Sequence, residues 1–164
     1  MAVDFASKQR DRAGEGWGLR NAKLRMSRKL IFASGLLVCF NAHLDRALQS
    51  EISTGKNDVK LKLASHIRNQ LKSTPLEIVA RSMEDYGVSA AVAKGLFSSY
   101  AEFLNLLNDK SSRESLKNLR SEDSGTDAVF QKVRQFGSSF EQALSHIFFE
   151  NPSVAPLTRK YGVF

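Results

Sequence analysis

Proline is scarce in this chain of 164 residues, which contains Pro75, Pro152 and Pro156 and no others. Proline breaks helices in their interior, so residues 1–74 and 76–151 are free of such breaks. No segment shows the alternation of apolar and polar residues that a half-buried strand requires. The sequence therefore predicts an all-α protein, built as a bundle of five to six helices with a long, basic-ended first helix and an irregular C-terminal tail.

Cysteine is scarcer still, because Cys39 is the only one. A single cysteine excludes an internal disulfide framework, and a free cysteine in an apolar run usually packs as a small hydrophobic residue. We therefore expect a reducing compartment and predict a cytoplasmic protein. Cys39 and His43 lie four residues apart and could face one ligand, but two ligands do not make a zinc site. No metal and no cofactor are predicted.

Long apolar runs are missing as well. Residues 30–40 carry no charge, but eleven residues fall short of the roughly 20 that a membrane-spanning helix needs. A secretory signal would begin near the N-terminus and end at small residues, and the chain around residue 40 does not fit that pattern. The sequence predicts neither a membrane span nor a targeting segment.

Acidic residues are absent from residues 20–29, where five cations lie. These cations are Arg20, Lys23, Arg25, Arg28 and Lys29. The net charge of the chain is +7, and residues 1–30 hold eight cations and three acids, a balance of +5. Clustered cations attract the phosphates of nucleic acids or lipids. We predict that these five residues bind nucleic acid; alternatively, they pair with acids or simply solvate a helix end.

Helical periodicity places the basic residues at the start of a first helix that spans about residues 19–51. Its apolar residues recur every four positions, as on one face of a helix: Leu36, Phe40, Leu44 and Leu48. The middle of this segment is apolar nearly all round, which predicts a buried centre. Gly35 is expected to allow the close approach of a neighbouring helix. Arg25 and Arg28 are expected to share one face.

The clearest local signal is the sequence Thr74-Pro75-Leu76-Glu77. It predicts a capping box, in which the side chains of Thr74 and Glu77 accept from each other's backbone N–H groups. Proline suits the first helical position, and Gly87 is a typical residue for ending such a helix. The remaining helices are predicted at about residues 59–72, 75–86, 90–108, 111–119 and 126–149.

The predicted domain organisation has three parts: a flexible N-terminal arm over residues 1–16, a helical bundle over residues 17–151 and a tail over residues 152–164. The glycine-rich residues 14–18 precede no predicted strand and are interpreted as linker. A basic start also suits a chain that is one region of a longer protein.

Residues 80–97 resemble a helix-turn-helix, in which a second helix reads the major groove of DNA. Two features disagree with that interpretation. Met83 stands where a small residue is typical, and Lys94 is the one cation in the first half of the second helix. Such a helix has few side chains with which to read bases. A capped corner between two helices explains the same residues.

No catalytic residues are predicted, because no nucleophile, base and orienting group recur in a known pattern and no phosphate-binding loop motif is present. The predicted function is therefore a non-catalytic binding domain that engages nucleic acid through Arg20, Lys23, Arg25, Arg28 and Lys29. One alternative is a module that binds a partner protein or forms a homodimer without nucleic acid. A third is a helical enzyme subunit whose active site lies in another chain.

Overall fold

The computed structural model describes residues 16–54 and 58–162. These residues form eight helices and no strand, which confirms the all-α class for the part of the chain that is described. Helix α1 joins Trp17–Lys23, the π-helical turn Leu24–Arg28 and Lys29–Leu44; α2 is Arg46–Ser53, α3 Val59–Gln70, α4 Pro75–Asp85, α5 Ala90–Asn108, α6 Lys110–Asn118, α7 Ala128–Ser145 with the π-helical turn His146–Glu150, and α8 Ala155–Tyr161.

The helix predicted over residues 19–51 is broken at Asp45, so that prediction is wrong beyond Leu44. The backbone of Asp45 is extended, with φ −68° and ψ 104°. Its Oδ1 accepts hydrogen bonds from the N–H groups of Ala47 at 2.9 Å and Leu48 at 3.0 Å. An aspartate in this conformation caps the start of a new helix. This break is one reason why eight helices form rather than five to six.

The tail predicted as irregular over residues 152–164 contains helix α8, so that prediction is also wrong. Pro156 lies in the first turn of α8, where its missing N–H removes no intrahelical hydrogen bond. Leu157 and Thr158 on the same helix are buried. Residues 163–164 of this tail, and residues 1–15 of the predicted arm, lie outside the described residues.

Contacts divide the chain into two compact units, and the first contains residues 16–28 and 94–142. Eight of its large apolar side chains are fully buried: Leu19, Met26, Leu96, Phe103, Leu116, Phe130, Val133 and Phe140. The start of α1 packs against the end of α6 at a glycine. A Cβ added to Gly18 would lie 2.7 Å from the carbonyl oxygen of Leu116, closer than real Cβ contacts come. The residues interpreted as linker thus include part of a tight helix contact.

The second unit contains residues 29–54, 58–93 and 143–162. In it, Lys29–Leu44 packs along α4, and α8 packs on the π-helical turn His146–Glu150. Four large side chains are fully buried: Leu37, Val79, Ile147 and Val154. The rings of Phe40 and Phe148 meet edge to face with their centroids 6.3 Å apart, a favoured aromatic geometry.

Both ends of α4 match the sequence-based prediction. Thr74 and Glu77 form the reciprocal capping box, with Glu77 Oε2 accepting from the N–H of Thr74 at 2.6 Å. This hydrogen bond lowers the pKa of Glu77, because it favours the ionised carboxylate. At the other end Gly87 adopts a φ of 63°, and the N–H of Val88 bonds to the carbonyl of Met83 at 2.8 Å. That pattern is a Schellman motif, which ends a helix at a left-handed residue.

The centre of α1 is buried on one side only, which corrects the prediction of burial nearly all round. Leu30, Leu37 and Phe40 are buried, whereas Ile31 is 59 % exposed and Phe32 51 % exposed. The exposed side also carries Gly35 and Cys39, so Cys39 is not the core residue that was expected. No described atom comes within 4 Å of a Cβ added to Gly35, and the expected helix contact at this position is therefore absent from the described residues.

Candidate nucleic-acid interface

The five predicted binding residues lie on α1 but differ in environment. Arg28 is exposed, and the other four are half-buried. Arg20, Lys23 and Lys29 each interact with another group of the chain. Lys29 begins the segment that belongs to the second compact unit, whereas the other four belong to the first. Residues 20–28 are therefore the part of the candidate interface that lies within one unit.

A π-helical turn over Leu24–Arg28 governs where Arg25 and Arg28 lie. In an α-helix, residues three or four apart are neighbours on one face, and the prediction of a shared face relied on that spacing. A π-helix instead closes its hydrogen bonds five residues apart. Side chains three or four residues apart within such a turn therefore no longer point in the directions that an α-helix gives them. Arg28 is exposed, while Arg25 is half-buried against α7.

The side chain of Arg25 runs past Gly137 of α7. A Cβ placed on Gly137 would lie 3.6 Å from Cβ and 3.7 Å from Cδ of Arg25, which is ordinary van der Waals contact. The Nε of Arg25 is buried and has no hydrogen-bond partner among the described residues. The stem of this arginine thus packs on α7, and one donor of its guanidinium is left unsatisfied.

Trp17 lies just before the basic residues and packs inside the first unit. Its ring is 5.2 Å from that of Phe130, at an interplanar angle of 46°. The guanidinium of Arg134 lies over the same phenylalanine ring, 5.5 Å from its centroid. One part of the half-buried indole of Trp17 is thus engaged by the fold.

The charges that α1 itself carries are all of one sign. Residues 17–44 contain no aspartate or glutamate. Within the first unit, Glu114 pairs with Lys117 at 3.0 Å, and Arg120 pairs with Glu122 at 3.0 Å and Asp123 at 3.1 Å. These carboxylates are engaged by cations of their own neighbourhood.

A polar cleft in the first unit is unsuited to anions. It is lined by Ser115, Asn118, Leu119, Asp123, Thr126 and Asp127. Asp127 is committed to the start of α7, because its Oδ1 accepts from the N–H of Phe130 at 2.6 Å. Two carboxylates in one cleft repel a phosphate, so the cleft is not part of the candidate interface.

The second unit contains a hydrogen-bond network that was not predicted from the sequence. Nδ2 of Asn41 donates to Oε1 of Gln70 at 3.0 Å and to Oγ of Ser82 at 3.1 Å, and the Tyr86 hydroxyl donates to Oδ1 of Asn41. Gln70 in turn contacts Nε2 of His66 at 2.8 Å. A polar residue at position 41, directly after an apolar run, was the available signal.

The network continues to a carboxylate. Nδ1 of His66 lies 3.5 Å from Oδ2 of Asp45, and placing the imidazole proton on Nδ1 leaves Nε2 free to accept from Gln70. Burial raises the pKa of Tyr86 to about 12, so its hydroxyl remains a donor at neutral pH. These contacts tie α1, α3 and α4 together and account for His66 as a structural residue.

The residues considered for metal binding do not assemble into a site. Cys39 and His43 are both exposed, and the His43 ring lies 6.1 Å from that of Tyr161. Among residues 16–54 and 58–162, no three His, Cys, Asp or Glu side chains are grouped so that they could hold a metal ion. Nor does any helix in this part of the chain combine the length and apolar character needed to cross a membrane.

Comparisons with family models, with curated proteins and with solved structures give no match for this chain.

Proposed function

We propose that this chain is a non-catalytic helical domain that binds nucleic acid through the phosphate backbone. The binding surface is the basic segment, defined as residues 20–29 of α1. The observation that carries the proposal is the combination of five cations with a complete lack of acids over residues 17–44. A helix of this charge attracts phosphates along its length and has no carboxylate of its own to repel them.

The exposed position of Arg28 supports this proposal, because a backbone phosphate reaches this guanidinium without any rearrangement. The chemistry of the segment favours backbone contacts over base recognition. Arginine and lysine side chains on phosphates position a nucleic acid without reading its sequence. The domain is accordingly expected to tolerate many sequences and to bind with a steep dependence on salt.

The first test uses the purified protein and a fluorescent single-stranded oligonucleotide. We expect the Arg28→Glu variant to bind at least about tenfold more weakly, because a phosphate contact is replaced by repulsion. We also expect the purified wild type to retain nucleic acid, seen as excess absorbance at 260 nm, and the triple variant Arg25→Glu, Arg28→Glu, Lys29→Glu to lose it. Fluorescence anisotropy across a salt series measures the affinity.

Lys132→Glu is the matched control, since Lys132 is exposed on α7, outside the basic segment, and the change in net charge is the same. Equal losses of oligonucleotide affinity in Arg28→Glu and Lys132→Glu would show that the effect comes from the change in net charge and not from a contact at position 28. Unchanged binding in the triple variant would refute the proposal.

A second candidate function is self-association, and a specific observation favours it. The exposed side of Lys29–Leu44 carries Ile31, Gly35 and Cys39 at intervals of four residues and has no charge between Lys29 and His43. A second copy could cross this face without opposing like charges, and Gly35, with nothing within 4 Å of its Cβ position, leaves room for a close helix crossing.

Sedimentation equilibrium tests this second candidate. If the face pairs with a second copy, Ile31→Glu should convert a dimer to a monomer, since a buried unpaired carboxylate is costly. Leu61→Glu is the control, because Leu61 is 65 % exposed on α3. An apolar interface should change little with salt, in contrast to phosphate binding. A wild type that stays monomeric at all concentrations rejects the dimer.

A further inference from the structure

Arg25 is the one described residue that combines a formal charge with a buried donor lacking an acceptor. Buried polar groups are almost always hydrogen-bonded, and an exception calls for a physical explanation such as a missing ion or ligand. A guanidinium N–H left without an acceptor is costly, since hydrogen bonds to charged groups are among the stronger ones in proteins. Arg120, in contrast, pairs with two carboxylates close to it in the sequence.

The Nε of Arg25 has no carboxylate acceptor among the residues that the structure describes. Its stem lies against Gly137 of α7, and its own helix carries no acid over residues 17–44. Position 137 has no side chain, so the Arg25 stem packs directly on the α7 backbone there. Three residues before Gly137, the exposed Arg134 adds a second positive charge to α7.

We propose that Arg25 binds one phosphate group through the fork formed by Nε and a terminal Nη. This inference rests on the proposed function and names the residue at which a backbone phosphodiester, or a free phosphate of the same chemistry, is held. A rotation about the terminal side-chain bonds brings the buried Nε out to the phosphate. Two parallel N–H···O bonds then replace an unsatisfied donor, which is the geometry for which arginine is suited and lysine is not.

The contribution of Nε distinguishes Arg25 from Arg28. Arg28 is exposed and attracts phosphate by its charge, so a lysine at that position should serve nearly as well. At position 25 the fork itself is required. Arg25→Lys is therefore expected to weaken oligonucleotide binding about tenfold. The salt dependence of binding should stay the same, because the charge is kept. Arg28→Lys should change the oligonucleotide affinity by less than about twofold.

Two further readouts separate binding from a packing role. In ¹⁵N-labelled protein, the Nε–Hε cross-peak that disappears in Arg25→Lys should shift when either inorganic phosphate or the oligonucleotide is added.

Arg25→Met keeps the stem and removes the unsatisfied donor, so its melting temperature should be no lower than that of the wild type. Inorganic phosphate, at constant ionic strength, should raise the melting temperature of the wild type and leave that of Arg25→Met unchanged.

The outcomes distinguish this inference from the proposed function. If Arg25→Lys binds the oligonucleotide like the wild type while Arg28→Glu does not, the Arg25 site is wrong and nucleic-acid binding stands. If the wild type ignores the oligonucleotide but phosphate shifts the Arg25 cross-peak, the site holds free phosphate and the proposed function fails. If the Arg25 cross-peak responds to neither ligand, the site is wrong.

Discussion

Replacing Gly18 with alanine is expected to lower the free energy of unfolding by about 2 kcal/mol, in spite of the better helix propensity of alanine. The new Cβ would lie 2.7 Å from the carbonyl oxygen of Leu116 and 2.9 Å from Cβ of Leu119. Neither atom is the end of a flexible side chain, so the start of α1 has to move away from α6. Urea denaturation followed by circular dichroism measures the change.

Gly35→Ala on the same helix is the matched control and should have the opposite sign. Its Cβ meets no described atom within 4 Å, and its backbone is helical. Removing the extra freedom of glycine from a helix interior is worth about 0.5–1 kcal/mol, so this variant should be more stable than the wild type. Destabilisation of similar size in both variants would show that the contact between α1 and α6 is not the cause.

Replacing Asn41 with leucine is expected to lower the free energy of unfolding by about 3 kcal/mol, since three polar partners, one buried and two half-buried, lose their bonds at once. Gln70, Ser82 and Tyr86 from α3 and α4 all bond to the amide of Asn41. Leucine has nearly the same size but offers neither donor nor acceptor. The measurement is again the urea midpoint, with the slope checked for a change in cooperativity.

Asn69→Leu controls for the loss of an asparagine amide at an exposed helical position. Asn69 is exposed on α3, and its side-chain oxygen accepts a hydrogen bond from the exposed Lys72 at 2.9 Å, so its replacement should cost little. The double variant Asn41→Leu, Tyr86→Phe adds a direct test of coupling. Its loss in free energy of unfolding should be smaller than the sum of the losses in the two single variants, because both changes remove the same hydrogen bond between Tyr86 and Asn41. Strict additivity would contradict the network.

The elements that sequence could predict depend on neighbours along the chain. The capping box at Thr74 and the stop at Gly87 involve residues within a few positions of each other, and both are present. Ala90–Asn108 likewise has the bounds that periodicity predicted. The break at Asp45 was also a local signal, but the apolar periodicity that continues to Leu48 outweighed it in the sequence analysis.

What sequence could not predict depends on contacts between distant residues. Nothing near Gly18 indicates that the end of α6, about 100 positions away, passes within van der Waals distance. The basic segment was visible as a charge pattern, but the π-helical turn that separates Arg25 from Arg28 in exposure was not. The packing of the Arg25 stem beside Gly137 of α7, and its Nε without an acceptor, involve residues more than 100 positions apart, so only the folded chain reveals them.

The exposure of Cys39 has a practical consequence. It is the only thiol of the chain and lies on the solvent side of Lys29–Leu44. A maleimide fluorophore or nitroxide therefore attaches at one known position without prior removal of other cysteines. In air without reductant, the same exposed thiol is expected to form a disulfide bond between two molecules.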